Sequence, residues 1–149
     1  MGKRAIIDDV ITSKKIAIAG VSRDPKKFGR VLYYTLKDKG YEVYPINPNA
    51  DSIDGCPCYH QISDLPEDVK NLLITTAQKD TDSILKAAIQ RGFKNIWIQN
   101  GCETPESAQI AADHHVNLVS GCCILMYAHP TGFHKFHQTL AKWFGKYEN

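Results

Sequence analysis

Apolar positions along the chain fall into short blocks that alternate between two periods. Lys15-Ile16-Ala17-Ile18-Ala19-Gly20, Tyr41-Glu42-Val43-Tyr44-Pro45-Ile46, Asn71-Leu72-Leu73-Ile74-Thr75-Thr76, Asn95-Ile96-Trp97-Ile98-Gln99 and Val116-Asn117-Leu118-Val119 are brief apolar runs rich in β-branched and aromatic residues. Runs of this length, bounded by turn residues, predict buried strands. Between them the spacing is helical. Val31, Leu32, Thr35 and Leu36 share a face within 28–39, and Gly40 stands where a helix end needs positive φ. Ile84, Leu85, Ala88 and Ile89 share another, in a helix expected to open at Thr81 as N-cap and to end at Gly92. Residues 63–69 predict a short helix, and Thr104-Pro105-Glu106-Ser107 opens a further one with Thr as cap and Pro at the first position. Phe133, Phe136, Leu140, Trp143 and Phe144 keep helical spacing to the end.

Five strands alternating with helices, joined by crossovers long enough for parallel pairing, predict an α/β fold. The expected architecture is a Rossmann-like, doubly wound five-stranded parallel sheet with a C-terminal helix, one domain over 1–149. Right-handed crossovers leave few strand orders; 3-2-1-4-5 is expected, with the first strand meeting the fourth at a switch point. Ligands of such sheets lie across the carboxyl ends of the strands, which directs attention to the loops after Gly20, Ile46, Ile74 and Ile98.

Composition narrows the field. The 149 residues are enough to bury a core without disulfide staples. Eighteen Lys+Arg against sixteen Asp+Glu is too small a surplus for general nucleic-acid binding. No apolar run approaches the ~20 residues that cross a bilayer, and Asp8 and Asp9 interrupt what would be the apolar stretch of an export signal. Five cysteines, two of them adjacent, make a poor disulfide framework. A cytoplasmic protein without membrane or nucleic-acid partners is expected.

The first loop, Gly20-Val21-Ser22-Arg23-Asp24-Pro25-Lys26-Lys27-Phe28-Gly29, joins a strand to a helix N-terminus and carries Arg23, Lys26, Lys27 and, just beyond, Arg30. Backbone N–H groups, a helix dipole and added cations predict a phosphate-bearing ligand. The dinucleotide fingerprint G-x-G-x-x-G is absent, and the second strand ends in Pro45-Ile46-Asn47-Pro48, without the acidic residue that holds an NAD ribose. No Gly-Lys-Ser/Thr follows to make a P-loop.

These pieces, together with G-Y-E-V-Y-P-I-N-P, D-S-I-L-K-A-A-I-Q-R-G and I-W-I-Q-N-G, resemble the CoA-binding domain family over roughly residues 14–128. That family comprises small relatives of the N-terminal domain of the succinyl-CoA synthetase alpha subunit. The resemblance implies that Gly20, Val21, Ser22, Arg23, Lys27, Phe28, Gly29 and Arg30 take the pyrophosphate of coenzyme A. It implies that Asn47-Pro48 borders the adenosine and that Thr75, Thr76, Ala77, Gln99 and Asn100 line the rest. In the synthetase a second domain supplies the phosphohistidine, and no histidine here inherits that role by position. The expected function is binding of coenzyme A or an acyl-CoA by a stand-alone module, without catalysis of its own.

Two other readings stay open. Cys122 or Cys123, expected near the switch point, with His129 or His134 as base, would make an acyl- or thiol-transfer enzyme. An NAD(P)-binding redox module that departs from the fingerprint is the other. Cys56-Pro57-Cys58 lacks the second pair a zinc site needs, and no metal is expected. His134 and His137 share a helix face, read as solvated polar surface, metal site or catalytic pair. The apolar stripe at 133–144, broadened by Trp143, is a candidate homodimer contact.

Overall fold

A computed structural model describes residues 2–128 of the chain. Helix α1 (Lys3–Ser13) precedes strand β1 (Lys15–Ala19), helix α2 (Phe28–Asp38) and strand β2 (Glu42–Ile46). A small hairpin, β3 (Ser52–Ile53) and β4 (Cys56–Pro57), and a 3-10 turn at Ile62–Asp64 lead to β5 (Asn71–Ile74). Then come α3 (Gln78–Arg91), β6 (Asn95–Gln99), α4 (Ser107–Asp113) and β7 (Asn117–Cys122). The five long strands form one parallel sheet.

Side chains alternate across the pleat, so each strand feeds two cores. Ile16, Ile18, Leu73, Trp97 and Val119 face α1 and α2, where Ile6, Ile7, Val10, Leu32, Tyr33 and Leu36 meet them. Ala17, Ala19, Leu72, Ile74, Ile96 and Ile98 face the other way, onto Leu85 and Ala88 of α3, with Ile62, Leu65 and Phe93. The expected α/β, doubly wound class is what the chain adopts.

The strand order differs from the expected one. It is β2-β1-β5-β6-β7, which over the five long strands in chain order reads 2-1-3-4-5. The third strand pairs with the first, Ala17 against Leu72 and Ala19 against Ile74, on the side away from β2. The switch point therefore lies between β1 and β5 rather than between the first and fourth strands. Pro45 gives the physical reason: it has no N–H, and an interior place would break a ladder, whereas at the sheet edge it is tolerated. Among the described residues, the outer side of β2 is met by Tyr59, whose N–H donates to the Pro45 carbonyl at 2.9 Å. The Asn71–Ile74 run, buried at all four positions, suits the centre.

Several local expectations also shift. Residues 63–69 form only the 3-10 turn at Ile62–Asp64. Thr81 does not cap α3, which begins at Gln78; it is fully buried inside the helix and donates its hydroxyl to the Cys102 carbonyl at 2.7 Å. Helix α4 starts at Ser107, two residues beyond Pro105, although the Thr104 hydroxyl accepts from the Glu106 N–H at 3.3 Å. The hairpin turn Asp54-Gly55 takes positive φ at both residues, 49° and 78°, as a two-residue hairpin connection requires. The expected C-terminal helix, its apolar stripe and His129, His134 and His137 lie outside the described residues. Among the described residues, no helix is long and apolar enough to cross a membrane.

At the amino end of the sheet, Asn71, Asn95 and Asn117 stand in register on neighbouring strands. Asn95 donates to Asn71 Oδ1 at 2.8 Å and Asn117 donates to Asn95 Oδ1 at 3.2 Å. The amide of Asn95 also reaches Asp9 Oδ2 of α1 at 2.7 Å, which fastens that helix to the sheet. This hydrogen bond and Lys94 beside it, 3.0 Å away, hold the Asp9 carboxyl below its ordinary value of 3.8. A lowered folded-state pKa stabilises the fold at neutral pH, and the contribution is lost as pH falls through that folded value. The stability gap between the parent and Asp9→Ala, measured by urea unfolding, is therefore expected to be widest above pH 5 and to shrink on acidification below 4. Trp97, fully buried with its Nε1 donating to the Cys122 carbonyl at 3.1 Å, is expected to cost ~3–5 kcal/mol on replacement by Ala in the same assay.

Candidate functional site

At the carboxyl edge of the sheet, a cleft of about 1110 Å³ opens over the ends of β2, β1, β5 and β6. That is ample for a nucleotide-sized ligand, compared with ~300–1,000 Å³ for ordinary small-molecule pockets. Gly20, Val21, Ser22, Lys27, Phe28 and Gly29 line it from the first loop, Asn47 and Pro48 from the loop after β2, and Thr75, Thr76 and Ala77 from the loop after β5. Gln99 and Asn100 line it from the end of β6.

Two glycines make the floor possible. Gly20 sits at φ +102°, and a Cβ there would stand 2.7 Å from the Thr75 carbonyl oxygen. A Cβ on Gly29 would run into the Gly20 carbonyl oxygen. The start of α2 is thus drawn onto the end of β1, where β1 and β5 part company. Its first turn carries no acidic residue and its N-cap, Lys27, makes no side-chain cap. The positive end of the helix dipole and the Lys27 side chain accordingly act on the same part of the cleft.

Loop one is held in shape by internal bonds. Ser22 Oγ accepts from the Asp24 N–H at 3.0 Å, and Asp24 Oδ1 accepts from the Lys26 N–H at 3.0 Å. Arg30, 7 % exposed, donates through Nη1 to the carbonyls of Ser22 and Arg23, both at 3.1 Å, and through Nη2 to the Tyr34 hydroxyl at 2.7 Å. Arg23 and Arg30 do not line the cleft. Arg30 is a strut under the loop rather than a wall of the cleft. Asn47 braces the other side, its Nδ2 donating to the Val21 carbonyl at 2.9 Å while its Oδ1 accepts from the Asn49 N–H at 2.8 Å.

The remaining walls come from residues the sequence did not single out. His60, Gln61 and Ile62 close the β2 end, with His60 Nε2 2.7 Å from Asp51 Oδ1. Asp80, Ser83, Ile84 and Ala87 form one face of α3, and Cys102 lies past the end of β6. The signal for α3 was present in its period: positions 80, 83, 84 and 87 are one helical stripe. His60 and Cys102 carried no such pattern, because each arrives through a turn.

Cys122 and Cys123, expected near the switch point, are 0 % and 1 % exposed in the core beneath α1 and α2, and neither lines the cleft. Burial pushes the Cys123 thiol up, which works against thiolate chemistry there. Cys56 meets the Lys37 ammonium at 3.0 Å instead of pairing with Cys58 around a metal. Among the described residues, no cluster of three or more His, Cys, Asp and Glu side chains is arranged to hold a metal ion.

With this geometry in place, comparison with known proteins decides the family. The sequence pattern of the CoA binding domain matches residues 14–129. The chain belongs to the CoA-binding domain family. Acetate–CoA ligase [ADP-forming] II of Archaeoglobus fulgidus is 34 % identical over 92 residues, 60 % of this chain and 14 % of the ligase. The alpha subunit of the ligase II of Pyrococcus furiosus is 25 % identical over 130 residues, 80 % of this chain. This chain spans 28 % of that subunit's length. Among solved structures, a conserved hypothetical protein from Pyrococcus furiosus shares 37 % identity at a TM-score of 0.73, covering 75 % of this chain and 97 % of its own. A Pyrococcus horikoshii protein shares 25 % identity at a TM-score of 0.77, covering 93 % of each chain.

The Gly20–Gly29 contact yields a direct check. Gly29→Ala is expected to lower the melting temperature by on the order of 5 °C, since overpacking costs ~1–3 kcal/mol and the displaced atom is backbone.

Proposed function

We propose that the chain binds coenzyme A or an acyl-CoA as a stand-alone cytoplasmic module, with the nucleotide phosphates on loop one and the rest of the ligand laid across the strand ends. The observation that carries this reading is the electrostatic asymmetry of the cleft. Helices α2 and α3 both begin at it, without side-chain caps. The α2 end has Lys27 and no acid in its first turn, whereas the α3 end has Asp80. An anion is favoured at the first and disfavoured at the second. Coenzyme A has that distribution: a strongly anionic nucleotide joined to a long, uncharged, amide-bearing arm. Thr75, Thr76, Ser83, Gln99 and Asn100 offer hydrogen-bonding groups along the uncharged stretch. Membership of the CoA-binding domain family supports the same ligand.

Thermal melting against coenzyme A, dephospho-coenzyme A and NADP tests the reading. Ligand at 100 times its Kd adds about 2.7 kcal/mol of stability, a visible shift. Coenzyme A is expected to raise the melt well above NADP at equal concentration; no shift with any CoA species sinks the proposal. Lys27→Ala is expected to weaken coenzyme A by tenfold or more, in line with ~1.5–3 kcal/mol for a hydrogen bond to a charged group, with the difference narrowing in high salt.

A further inference from the structure

We propose that Cys102 is the residue that meets the sulfur end of the ligand and takes it up as a mixed disulfide. The inference rests on the reading of the cleft as a coenzyme A site.

The strand order sets the direction. The cleft floor runs β2, β1, β5, β6. Lys27 and the α2 N-terminus fix the phosphates over β1, and β6 lies two strand spacings away, ~10 Å. An extended pantetheine arm spans more than that. The opposite direction ends sooner, against Pro48 and the His60–Ile62 turn beside β2. Asp80 over the β5–β6 half disfavours a second anion there and leaves that half to the uncharged arm.

Cys102 lies past the end of β6, its thiol within reach of the Thr75 hydroxyl over the β5 end. Of the five free thiols it alone lines the cleft. Its backbone is fixed on both sides: its N–H donates to the Gln99 carbonyl at 2.9 Å, and its own carbonyl accepts from Thr81 Oγ1 at 2.7 Å. Gln78 Nε2 holds the next residue through the Glu103 carbonyl at 2.8 Å. The thiol is therefore presented from a clamped turn. A second group at that end also points to a ligand. Gln99 lines the cleft and is 1 % exposed; its Oε1 accepts from the Ile124 N–H at 3.2 Å, while its Nε2 has only the weakly accepting Cys123 thiol within reach. A buried amide donor held only by a thiol suits an amide carbonyl of the arm better.

The step is thiol–disulfide exchange with the disulfide form of the ligand. The Cys102 thiolate attacks one sulfur of the ligand's S–S bond. The Cys102–S bond to the ligand forms as that S–S bond breaks, and the departing half leaves as a thiolate that takes a proton from water. The disulfide is the only oxidant required. Burial pushes the Cys102 thiol up and the Thr75 hydroxyl partly offsets this. Holding the two sulfurs together in a bound complex compensates for the smaller thiolate fraction.

The test treats reduced full-length protein with coenzyme A disulfide or, separately, glutathione disulfide, and follows adducts by intact mass and peptide mapping. The expected result is a reductant-sensitive coenzyme A adduct on Cys102. It forms at least tenfold faster than the glutathione adduct and is slowed by prior saturation with S-methyl coenzyme A. Cys102→Ser should lack it, and mapping on the parent protein gives the same answer should that variant fold poorly. Calorimetry with reduced coenzyme A separates the two levels of the argument. Binding without an adduct at Cys102, with the adduct elsewhere, or with equal rates for the two disulfides overturns this inference and leaves the coenzyme A reading standing. No binding of reduced coenzyme A overturns both.

Discussion

The contact on which the rest of the site depends is the backbone approach of Gly29 to Gly20 and of Gly20 to Thr75. Strand β1 ends at Ala19, its carbonyl accepting from the Thr75 N–H at 2.9 Å, and the chain then has to leave the sheet between two diverging neighbours. Two residues without Cβ let the start of α2 settle on the strand end. Only then does the helix dipole lie over the sheet edge instead of being held off by a layer of side chains. The cleft, its floor and its preferred polarity all follow from that closeness.

Loop one gains its rigidity from polar bonds as well as from the burial of Val21 in the core. Arg30 spends its guanidinium on two loop carbonyls and on Tyr34, over whose ring it also lies, 4.9 Å from the centroid. A cation of the first loop thus shapes the cleft by engaging two loop carbonyls. Lys27 remains the lysine that lines the cleft. The division of labour is electrostatic: one cation pins the frame, another lines the cleft.

The two ends of the sheet are built on opposite plans. At the amino end, Asn71, Asn95 and Asn117 satisfy one another across the strands and tie α1 down through Asp9 and Ser13. At the carboxyl end, the Gln99 amide nitrogen has only the Cys123 thiol within reach among the described residues, and helices α2 and α3 start without side-chain caps. Polar groups are closed off where the fold needs anchoring and left open where a ligand can complete them.

The α/β class was legible because the alternation of short apolar runs with helical spacing is local, and backbone geometry reads it directly. Loop one was legible for the same reason: glycines, cations and a helix start lie within eleven consecutive residues of the chain, 20–30. Thirteen of the fifteen residues expected at the ligand line the cleft, and the two that do not, Arg23 and Arg30, were expected there on their charge and on the family resemblance. Charge is a property of the residue, but the direction it points is decided by which carbonyls lie within reach. Pro45 carried the correct strand order in the sequence, since an edge is where a missing N–H does least harm, yet a rule about crossovers does not weigh it. Helix α1, His60 and Cys102 belong to the tertiary structure alone. Helix α1 is held by hydrogen bonds to Asn71 and Asn95, far along the chain, and His60 and Cys102 reach the cleft only because distant turns fold over the same edge of the sheet. By itself the sequence determined the elements and the chemistry of the first loop. The packing of β5 against β1 decided where the cleft lies and which thiol it exposes, because pairing across the sheet depends on contacts that no local pattern encodes.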